Sequence, residues 1–264
     1  MNVTAYETIE VRFQEAICFL EIHRPEAKNT INAQLVAELS EVLSVCEESA
    51  TVVVLSGSPE VFCAGADFEA IARREPVLTS GEQKGDVKPD SGSGPLYDLW
   101  LRLATGPYVT ISHVRGQANA GGVGFVAASD IVLADETAQF SLSELLFGLY
   151  PACVLPFLIR RIGFQKAHYL TLMTQPITAR QALEWGLVDA VEAQSDLLLR
   201  RHLLSLRRRS KTSIRSYKGY MSRINMVLPD LKSAAVAGNQ EVFTNANLQA
   251  ITRYVERGVF PWEP

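Results

Sequence analysis

The sequence predicts an α/β protein with a layered core of parallel strands followed by a helical C-terminal region. Short apolar segments typical of buried strands, such as 51–55 (TVVVL) and 108–114 (YVTISHV), are separated by segments with the spacing of amphipathic helices, such as 33–47. After residue 195 the patterns are almost entirely helical. Strands that alternate with helices favour parallel pairing, because a parallel connection needs a crossover, which is usually a helix.

Local patterns place the individual elements along the chain. Apolar runs rich in β-branched residues mark strands, and apolar residues three or four apart mark helices. The segment RPEAKN (24–29) is predicted as a turn because it combines proline with charged and amide residues. The predicted elements in order are a strand at 16–23, a helix at 33–47, strands at 51–55, 108–114 and 131–134, a helix from about 151, a helix around 178–185 and further helices after it.

Composition limits the protein to a few classes. With 264 residues, 47% of them hydrophobic, the chain can bury one large core or a core plus a smaller lobe. No apolar run approaches the roughly 20 residues of a membrane helix, and the N-terminus MNVTAYETIEVRF lacks the layout of a signal peptide. The four cysteines form no CxxC pair, which disfavours a disulfide framework or a metal site and favours a cytoplasmic location.

The net charge of −4 conceals a basic segment at 200–223. It holds nine lysines and arginines, and no acid occurs between Asp196 and Asp230. Leucines at helical spacing predict an amphipathic helix pair with a basic outer face. This face is either a solvated helix surface or a docking site for an acidic partner or a phosphorylated ligand. Nucleic acid is disfavoured, because the chain as a whole is acidic.

The stretch 75–95, EPVLTSGEQKGDVKPDSGSGP, is rich in Gly, Ser, Pro and charged residues. This composition predicts a long loop. Loops of that length in compact domains often act as lids or bind substrates. Side chains in the loop and next to it are therefore candidates for substrate contacts.

A glycine-rich segment, NAGGVGFVAASD (119–130), matches the pattern of a dinucleotide-binding turn, and Glu144 lies about 20 residues beyond it, where a ribose-binding acid would be expected. The spacing argues against that function. Asp130 and the apolar run IVLA follow within six residues of Gly124, which leaves barely two helical turns. Glu144 also does not end a strand that directly follows such a helix.

A second segment, VFCAGADF (61–68), also places small residues ahead of a predicted helix. Two such junctions could direct two backbone N–H groups at one oxygen, since small residues let a carbonyl approach the amides. Helix N-termini add partial positive charge, which favours an anionic oxygen. The alternative is that both segments are simply tight strand-to-helix turns.

Five segments carry a family resemblance: HRPEAKNTIN (23–32), GSPEVFCAGADFEAI (57–71), QANAGGVGFVAASDIVLADETAQFSLSELLFGLYP (117–151), ITARQALEWGLVDAV (177–191) and RYVERGVFPWE (253–263). In this order they strongly resemble the crotonase, or enoyl-CoA hydratase, superfamily. The resemblance implies a crotonase fold: a repeated ββα spiral core at 1–195 with a C-terminal helical trimerisation region at 196–264. It also implies a homotrimer or hexamer that binds acyl thioesters through a CoA or phosphopantetheine arm, with no other cofactor.

The resemblance also assigns roles to individual residues. Ala66 and Gly121 would supply the two N–H donors of an oxyanion hole, and Glu144 would be the acid–base residue. Two-glutamate hydratases of this family have a second glutamate at the position of Gly124, where it activates water. Because that carboxylate is missing here, simple enoyl-CoA hydration is doubtful, whereas Glu144 alone could carry out a dehydration.

The segments 94–122 and 141–163 narrow the expectation further, since they look like those of hydratase-like enzymes from polyketide β-branching cassettes. The resemblance implies a hydro-lyase that converts a 3-hydroxy-3-methylglutaryl group on acyl carrier protein into the 3-methylglutaconyl thioester. The acidic carrier protein would give the basic segment 200–223 a partner. Two alternatives stay open: another crotonase reaction on an acyl-CoA, as a hydratase, isomerase or decarboxylase, and a non-catalytic thioester-binding scaffold.

Such a substrate has a distal carboxylate, so the pocket should offer a cation or hydrogen-bond donors. Several of the candidates have a structural alternative: core packing for Tyr97 and His113, and a helix-start anchor for Asp67. The resemblance places RPEAKN near the nucleotide arm, where Arg24 and Lys28 would contact phosphate. The remaining candidates for the carboxylate are Arg73, Arg74, Lys84 and Lys88. Trp100 and Cys63 are predicted as packing residues.

Overall fold

The computed structural model describes residues 6–72 and 92–263. The strands in this part of the chain are β1 (Ile9–Gln14), β2 (Ile17–Ile22), β3 (Val52–Ser56), β4 (Val61–Cys63), β5 (Val109–Val114), β6 (Gln117–Asn119), β7 (Ile131–Ala134), β8 (Gln139–Ser141), β9 (Ile177–Thr178) and β10 (Ala190–Val191). The α-helices are α1 (Ala33–Ser49), α2 (Phe68–Ala72), α3 (Ser93–Thr105), α4 (Gly121–Ala128), α5 (Leu155–Ile162), α6 (Phe164–Met173), α7 (Ala179–Trp185), α8 (Ser195–Leu206), α9 (Lys211–Ile224), α10 (Val227–Glu241) and α11 (Asn245–Arg257). Two short 3-10 helices span Pro25–Ala27 and Glu144–Phe147.

The strands form two sheets. The larger has the order β1-β2-β3-β5-β7-β10, and all of its pairs are parallel except β1 with β2. The smaller has the order β4-β6-β8-β9, with only β8 and β9 antiparallel. The predicted α/β class with parallel pairing is confirmed.

The chain builds both sheets by repeating one unit. Each of the pairs β3–β4, β5–β6 and β7–β8 contributes its first strand to the larger sheet and its second to the smaller one, and then enters a helix. The starts of α2, α4 and the second 3-10 helix therefore follow adjacent strands of the smaller sheet. This repeat is the ββα spiral that the resemblance implied.

The larger sheet is covered on both faces. One face packs on α1, α3, α4 and α5 through a large apolar cluster that includes Leu20, Leu35, Val53 and Val126. The other face packs on α8 through Val52, Ile111 and Leu198. A separate cluster joins α11 to α2 and to the second 3-10 helix.

Several elements differ from the sequence-based prediction. The two-residue and three-residue strands β4, β6, β8, β9 and β10 are too short to show a periodic pattern, and α3 begins at Ser93, inside the stretch predicted as a loop. Residues 73–91 of that loop lie outside the described residues. In the described part of the chain, none of the helices combines the length and apolar character needed to cross a membrane.

Candidate active site

The first junction, 61–67, is held against the segment 24–31 by backbone hydrogen bonds. Ile31 N–H donates to Gly65 C=O over 2.7 Å, and Asp67 N–H donates to Ile31 C=O over 3.3 Å. Successive peptide groups of an extended chain point to opposite sides. Because Gly65 C=O and Asp67 N–H both face Ile31, the N–H of Ala66 between them faces away. In the described part of the chain it has no hydrogen-bond acceptor.

The second junction, 119–124, enters α4 through a strained residue. Ala120 has φ 50° and ψ −119°, a conformation that L-residues other than glycine rarely adopt. Its N–H donates to Ser141 C=O on β8 over 2.9 Å, which holds it in place. The next residue, Gly121, is the first of α4, so its N–H has no partner within the helix, nor elsewhere among the described residues.

The two junctions touch at Gly65. A Cβ built on this residue would lie 2.7 Å from Ala120 Cβ and 3.4 Å from Gly121 N. Gly65 also has φ +93°, which disfavours any side chain. Only glycine fits here, and this contact brings the peptide group that carries the Ala66 N–H up to the start of α4.

Glu144 is the first residue of the second 3-10 helix, three residues after Ser141. Its carboxyl oxygen Oε2 is buried without a hydrogen-bond partner in the described part of the chain. Burial raises the pKa of this carboxyl from 4.5 to about 7, against the opposing effect of hydrogen bonds from the backbone amides of Glu144 and Ser143. A carboxyl with that pKa can accept and return protons near neutral pH.

Asn119 connects the turn of Glu144 to the second junction. Its Nδ2 donates to Ser143 Oγ over 2.9 Å, and its Oδ1 accepts from Ser141 Oγ over 2.9 Å. Asn119 is thus next to Ala120 in the chain and is hydrogen-bonded to the side chains of Ser141 and Ser143. Sequence reasoning missed this role, although a polar side chain directly before a run of small residues was a usable signal.

The C-terminal helix α11 covers the same turn. Phe147 packs against Phe68, Tyr254 and Phe260, with ring centroids 5.0, 5.1 and 6.0 Å away. Asn247 Nδ2 also donates to Gly148 C=O over 3.0 Å. These contacts place aromatic carbon, which solvates charge poorly, on the turn that begins at Glu144.

No side chain at position 124 could fit in this structure. A Cβ on Gly124 would lie 2.4, 2.6 and 2.7 Å from the Cζ2, Cη2 and Cε2 atoms of Trp100, which is 1% exposed. The indole therefore occupies the space in which a glutamate would have to lie. Position 124 is glycine because α3 presents a tryptophan to α4.

Two predicted substrate contacts are already engaged in the core. The Tyr97 hydroxyl donates to Leu228 C=O over 2.6 Å, and burial raises the pKa of Tyr97 to about 12. His113 hydrogen-bonds Ser195 Oγ over 2.9 Å on the α8 face of the larger sheet, away from Glu144, and burial lowers its pKa. The geometry favours the packing alternative for both residues, since the polar atom of Tyr97 and one ring nitrogen of His113 have partners.

Asp67 and Arg24 bind each other. Arg24 Nη2 lies 3.1 Å from Asp67 Oδ2, and Arg24 Nη1 donates to the backbone carbonyl of Thr30. Asp67 Oδ1 accepts from Ala70 N–H over 2.9 Å, which makes it the helix-start anchor of α2. These partners hold the pKa of Asp67 below its usual range although burial opposes the shift. Lys28 is exposed beside this pair and stays a candidate for a phosphate contact.

Other sequence-based candidates fall elsewhere. Arg73, Arg74, Lys84 and Lys88 lie outside the described residues. Cys63 is fully buried, and burial raises its pKa to about 12, so it is a packing residue as predicted. Within the ranges 6–72 and 92–263, no group of His, Cys, Asp or Glu is arranged to hold a metal ion.

Much of the basic segment 200–223 is paired within the chain. Arg207 contacts Glu15 over 2.7 Å, Arg215 contacts Glu48 over 2.9 Å, and Arg201 pairs with Glu192. Lys218 is buried against Asp130 at 2.5 Å. The basic outer face predicted from the sequence is therefore smaller than the run of nine charges suggests, because several of these charges pair with acids of the same chain. Among the described residues, the exposed arginines of the segment without an acidic partner are Arg200, Arg208, Arg209 and Arg223, and of these Arg209 hydrogen-bonds Ser205.

The family model for enoyl-CoA hydratase/isomerase matches residues 12–264, nearly the whole chain. The chain belongs to this family, the crotonases. The dinucleotide alternative is thereby set aside. The glycine match reflects packing, since α4 has only eight residues and Gly124 lies against Trp100.

Similar crotonases include the bacillaene synthase dehydratase PksH of Bacillus subtilis, which is 58% identical over 100% of this chain and 99% of that protein. The 2,3-dehydroadipyl-CoA hydratase of Escherichia coli is 33% identical over 70% of this chain and 69% of its own length. The crystal structure of pksH from Bacillus subtilis, described as a polyketide biosynthesis enoyl-CoA hydratase, has a TM-score of 0.89 at 57% identity and covers 97% of this chain and all of that chain. The predictions of a crotonase fold and of a lyase of the hydratase/dehydratase type are confirmed.

The raised pKa of Glu144 predicts a pH-dependent cost in stability. A carboxyl whose pKa is higher in the folded state than the ordinary 4.5 favours folding when protonated, and this contribution is lost as the pH rises through about 7. Glu144→Gln cannot ionise. The difference in free energy of unfolding, Glu144→Gln minus the unaltered protein, should therefore increase by on the order of 3 kcal/mol between pH 5 and pH 8.

Urea unfolding of both proteins at the two pH values measures this difference. Glu136→Gln, at an exposed glutamate, is the matched control and should show no comparable change. If the free energies of unfolding of Glu144→Gln and of the unaltered protein differ by the same amount at both pH values, the result would contradict a desolvated carboxyl.

Proposed function

We propose that the chain dehydrates a 3-hydroxy-3-methylglutaryl thioester on acyl carrier protein to the 3-methylglutaconyl thioester, in the β-branching of a polyketide. The observation that carries the proposal is a buried carboxyl, Glu144, whose turn is hydrogen-bonded through Ser143 and Asn119 to the junction with the unpaired Gly121 amide, with position 124 closed to a second carboxylate by Trp100. The similarity to a bacillaene synthase dehydratase over the whole chain supports both the direction of the reaction and the polyketide setting.

The first step is formation of an enolate. The thioester oxygen accepts hydrogen bonds from the N–H groups of Ala66 and Gly121, and the Glu144 carboxylate removes a proton from the α-carbon. Negative charge moves onto the oxygen, where the amides stabilise it; each donor of this kind typically contributes about 2.7–4 kcal/mol in the transition state. Because both are main-chain groups held by β-sheet contacts, they need little reorganisation.

The second step breaks the bond between the β-carbon and its hydroxyl. The enolate electrons form the new α,β double bond, and the hydroxyl leaves with the proton that Glu144 had taken. One water is released, Glu144 returns to its carboxylate form, and no electrons are gained or lost overall. A pKa of about 7 suits a group that must act first as base and then as acid.

The acyl group would be carried by phosphopantetheine, of an acyl carrier protein or of CoA, and the chemistry needs no other cofactor. The free cations Arg200, Arg208 and Arg223 are the part of the basic segment that supports binding of an acidic carrier protein. Exposed Lys28, beside the first junction, supports contact with a phosphate of the arm.

Self-association into a trimer or hexamer stays a prediction. Large apolar side chains exposed on α6, α9 and α10 support it, because burial of such side chains at an interface removes them from water. Light scattering of the purified chain measures the assembly, and a monomer would contradict it. These side chains include Phe164, Leu172, Tyr217, Ile224 and Val227.

We expect purified protein to remove one water from 3-hydroxy-3-methylglutaryl-carrier protein, a loss of mass that mass spectrometry of the acyl arm detects. Glu144→Gln should reduce this turnover by at least about a hundredfold, because general acid–base catalysis typically contributes that much. Asp98→Asn, at an acid on α3 that pairs with Lys232 instead, is a control that should keep activity. Loss of carbon dioxide would favour a decarboxylase, and no change of mass would favour a scaffold.

A separate prediction concerns delivery of the acyl substrate by a carrier protein. The double variant Arg200→Glu/Arg208→Glu should raise KM for the carrier-bound substrate by about tenfold or more, since like charges would then face an acidic partner, and should spare the CoA-linked substrate. Arg180→Glu on α7, an exposed arginine outside the segment, is the matched control. An equal rise in KM for both substrates would contradict docking at this surface.

A further inference from the structure

Asn119 places an amide side chain in the smaller sheet, in a type of structure that favours apolar and β-branched residues. The residue ends β6 and lies opposite Ser141 of β8 in the parallel register. Asparagine is depleted in strands, because its side chain offers the backbone alternative hydrogen bonds. The side chain is part-buried, so its polar atoms need partners within the protein. The identity of those partners explains why an amide occupies this position.

The Asn119 carboxamide hydrogen-bonds three separate segments of the site. Its Nδ2 donates to Ser143 Oγ over 2.9 Å and, in a longer contact, to Ala64 C=O over 3.4 Å. Its Oδ1 accepts from Ser141 Oγ over 2.9 Å. A backbone carbonyl can only accept, so the contact with Ala64 fixes which end of the amide carries the nitrogen. The opposite end must then be the acceptor that faces Ser141.

Every segment that Asn119 joins carries a group that the proposed reaction uses. The first junction carries the Ala66 amide, the second carries the Gly121 amide, and the turn after β8 carries Glu144. The bond to that turn is made at the residue directly before Glu144, so a shift there would move the carboxyl relative to the two amides. Catalytic groups must be held within about 0.5 Å of their productive geometry, and hydrogen bonds from supporting residues commonly provide this precision.

We propose that Asn119 is a positioning residue, which holds the Glu144 turn at a fixed place relative to the amides of Ala66 and Gly121 by bonding all three segments at once. The inference rests on the proposed function, because it concerns how the carboxylate meets the α-carbon beside the thioester oxygen. Asn119 contacts no reacting atom and moves no proton. Its contribution is geometric, and Glu144 remains the proton carrier.

The first test separates positioning from folding. Asn119→Ala removes all three bonds and should lower kcat for 3-hydroxy-3-methylglutaryl-CoA by about a hundredfold, the effect of a misplacement of roughly 1 Å. KM should stay within about threefold, because the variant loses no group that binds the thioester arm.

Ser210→Ala is the matched control. It removes the hydroxyl that caps α9 by accepting from Ser213 N–H over 3.1 Å. The loss of a helix cap should lower the free energy of unfolding. It should leave kcat and KM for the CoA-linked substrate unchanged, which a general effect of instability would not do.

A second variant tests the bond between Asn119 and the Glu144 turn directly. Ser143→Ala removes the acceptor and leaves the amide in place, and it should lower kcat by about tenfold or more. Asn119→Ala/Ser143→Ala should lower kcat no further than Asn119→Ala alone, since both changes break the same bond. If Asn119→Ala does not fold, Ser143→Ala decides the matter alone. An unchanged kcat in either single variant, or losses that multiply in the double variant, would overturn the proposal.

Titration of the Glu144 carboxyl gives a readout that needs no turnover. A turn released by Asn119→Ala should admit water, so the pKa of Glu144, which burial raises to about 7, should fall toward 4.5. Carbon-13 nuclear magnetic resonance of the labelled carboxyl measures this pKa, and Ser210→Ala should leave it unchanged. If the unaltered protein does not dehydrate the thioester, the proposed function fails and this titration decides the role of Asn119. A pKa that Asn119→Ala leaves at about 7 would then overturn the inference.

Discussion

The site depends on one close contact, between Gly65 of the first junction and Ala120–Gly121 of the second. Each junction alone is an ordinary entry from a strand into a helix. The ββα repeat sets the two junctions side by side, because β4 and β6 are neighbours in the smaller sheet. Ile31 then fixes the direction of the peptide at Ala66, and Ser141 holds the strained backbone of Ala120. These contacts leave two amides unpaired, and in the proposed reaction the two amides would hold the thioester oxygen.

The second constraint is the scarcity of polar groups around Glu144. Aromatic packing from α11 covers its turn, and the space that a second carboxylate would need is filled by the indole of Trp100. Burial raises the pKa of Glu144 to about 7, and position 124 has no room for a second carboxylate. In the proposed reaction a single carboxyl serves as base and as acid in turn.

Much of the fold and of the candidate site could be predicted from the sequence. The motifs around Ala66, Gly121 and Glu144 were sufficient for the family and the candidate site, because these positions are defined by small residues and a carboxylate in short segments. The absence of a glutamate at 124 was visible, but its cause was not. Trp100 lies in α3 among apolar residues, where a tryptophan predicts only packing. Its contact with Gly124 joins two helices, and the sequence pattern of neither helix shows that contact.

Side-chain partners were the least predictable feature. Tyr97, His113 and Arg24 have the chemistry of substrate ligands, and only their contacts with Leu228, Ser195 and Asp67 show that their polar groups are engaged within the chain. The basic segment 200–223 was evident as a run of charge, whereas the acids that pair with it come from distant positions. Pairing over such sequence separations depends on the finished fold, which local patterns do not describe.

The central claim is that Glu144 removes an α-proton while the amides of Ala66 and Gly121 hold the enolate. A thioester without a β-hydroxyl, 3-methylglutaryl-CoA, has nothing to eliminate, so in heavy water it can only exchange its α-protons. Nuclear magnetic resonance should show exchange catalysed by the unaltered protein and lost in Glu144→Gln. Exchange that continues in Glu144→Gln at the unaltered rate would contradict the account.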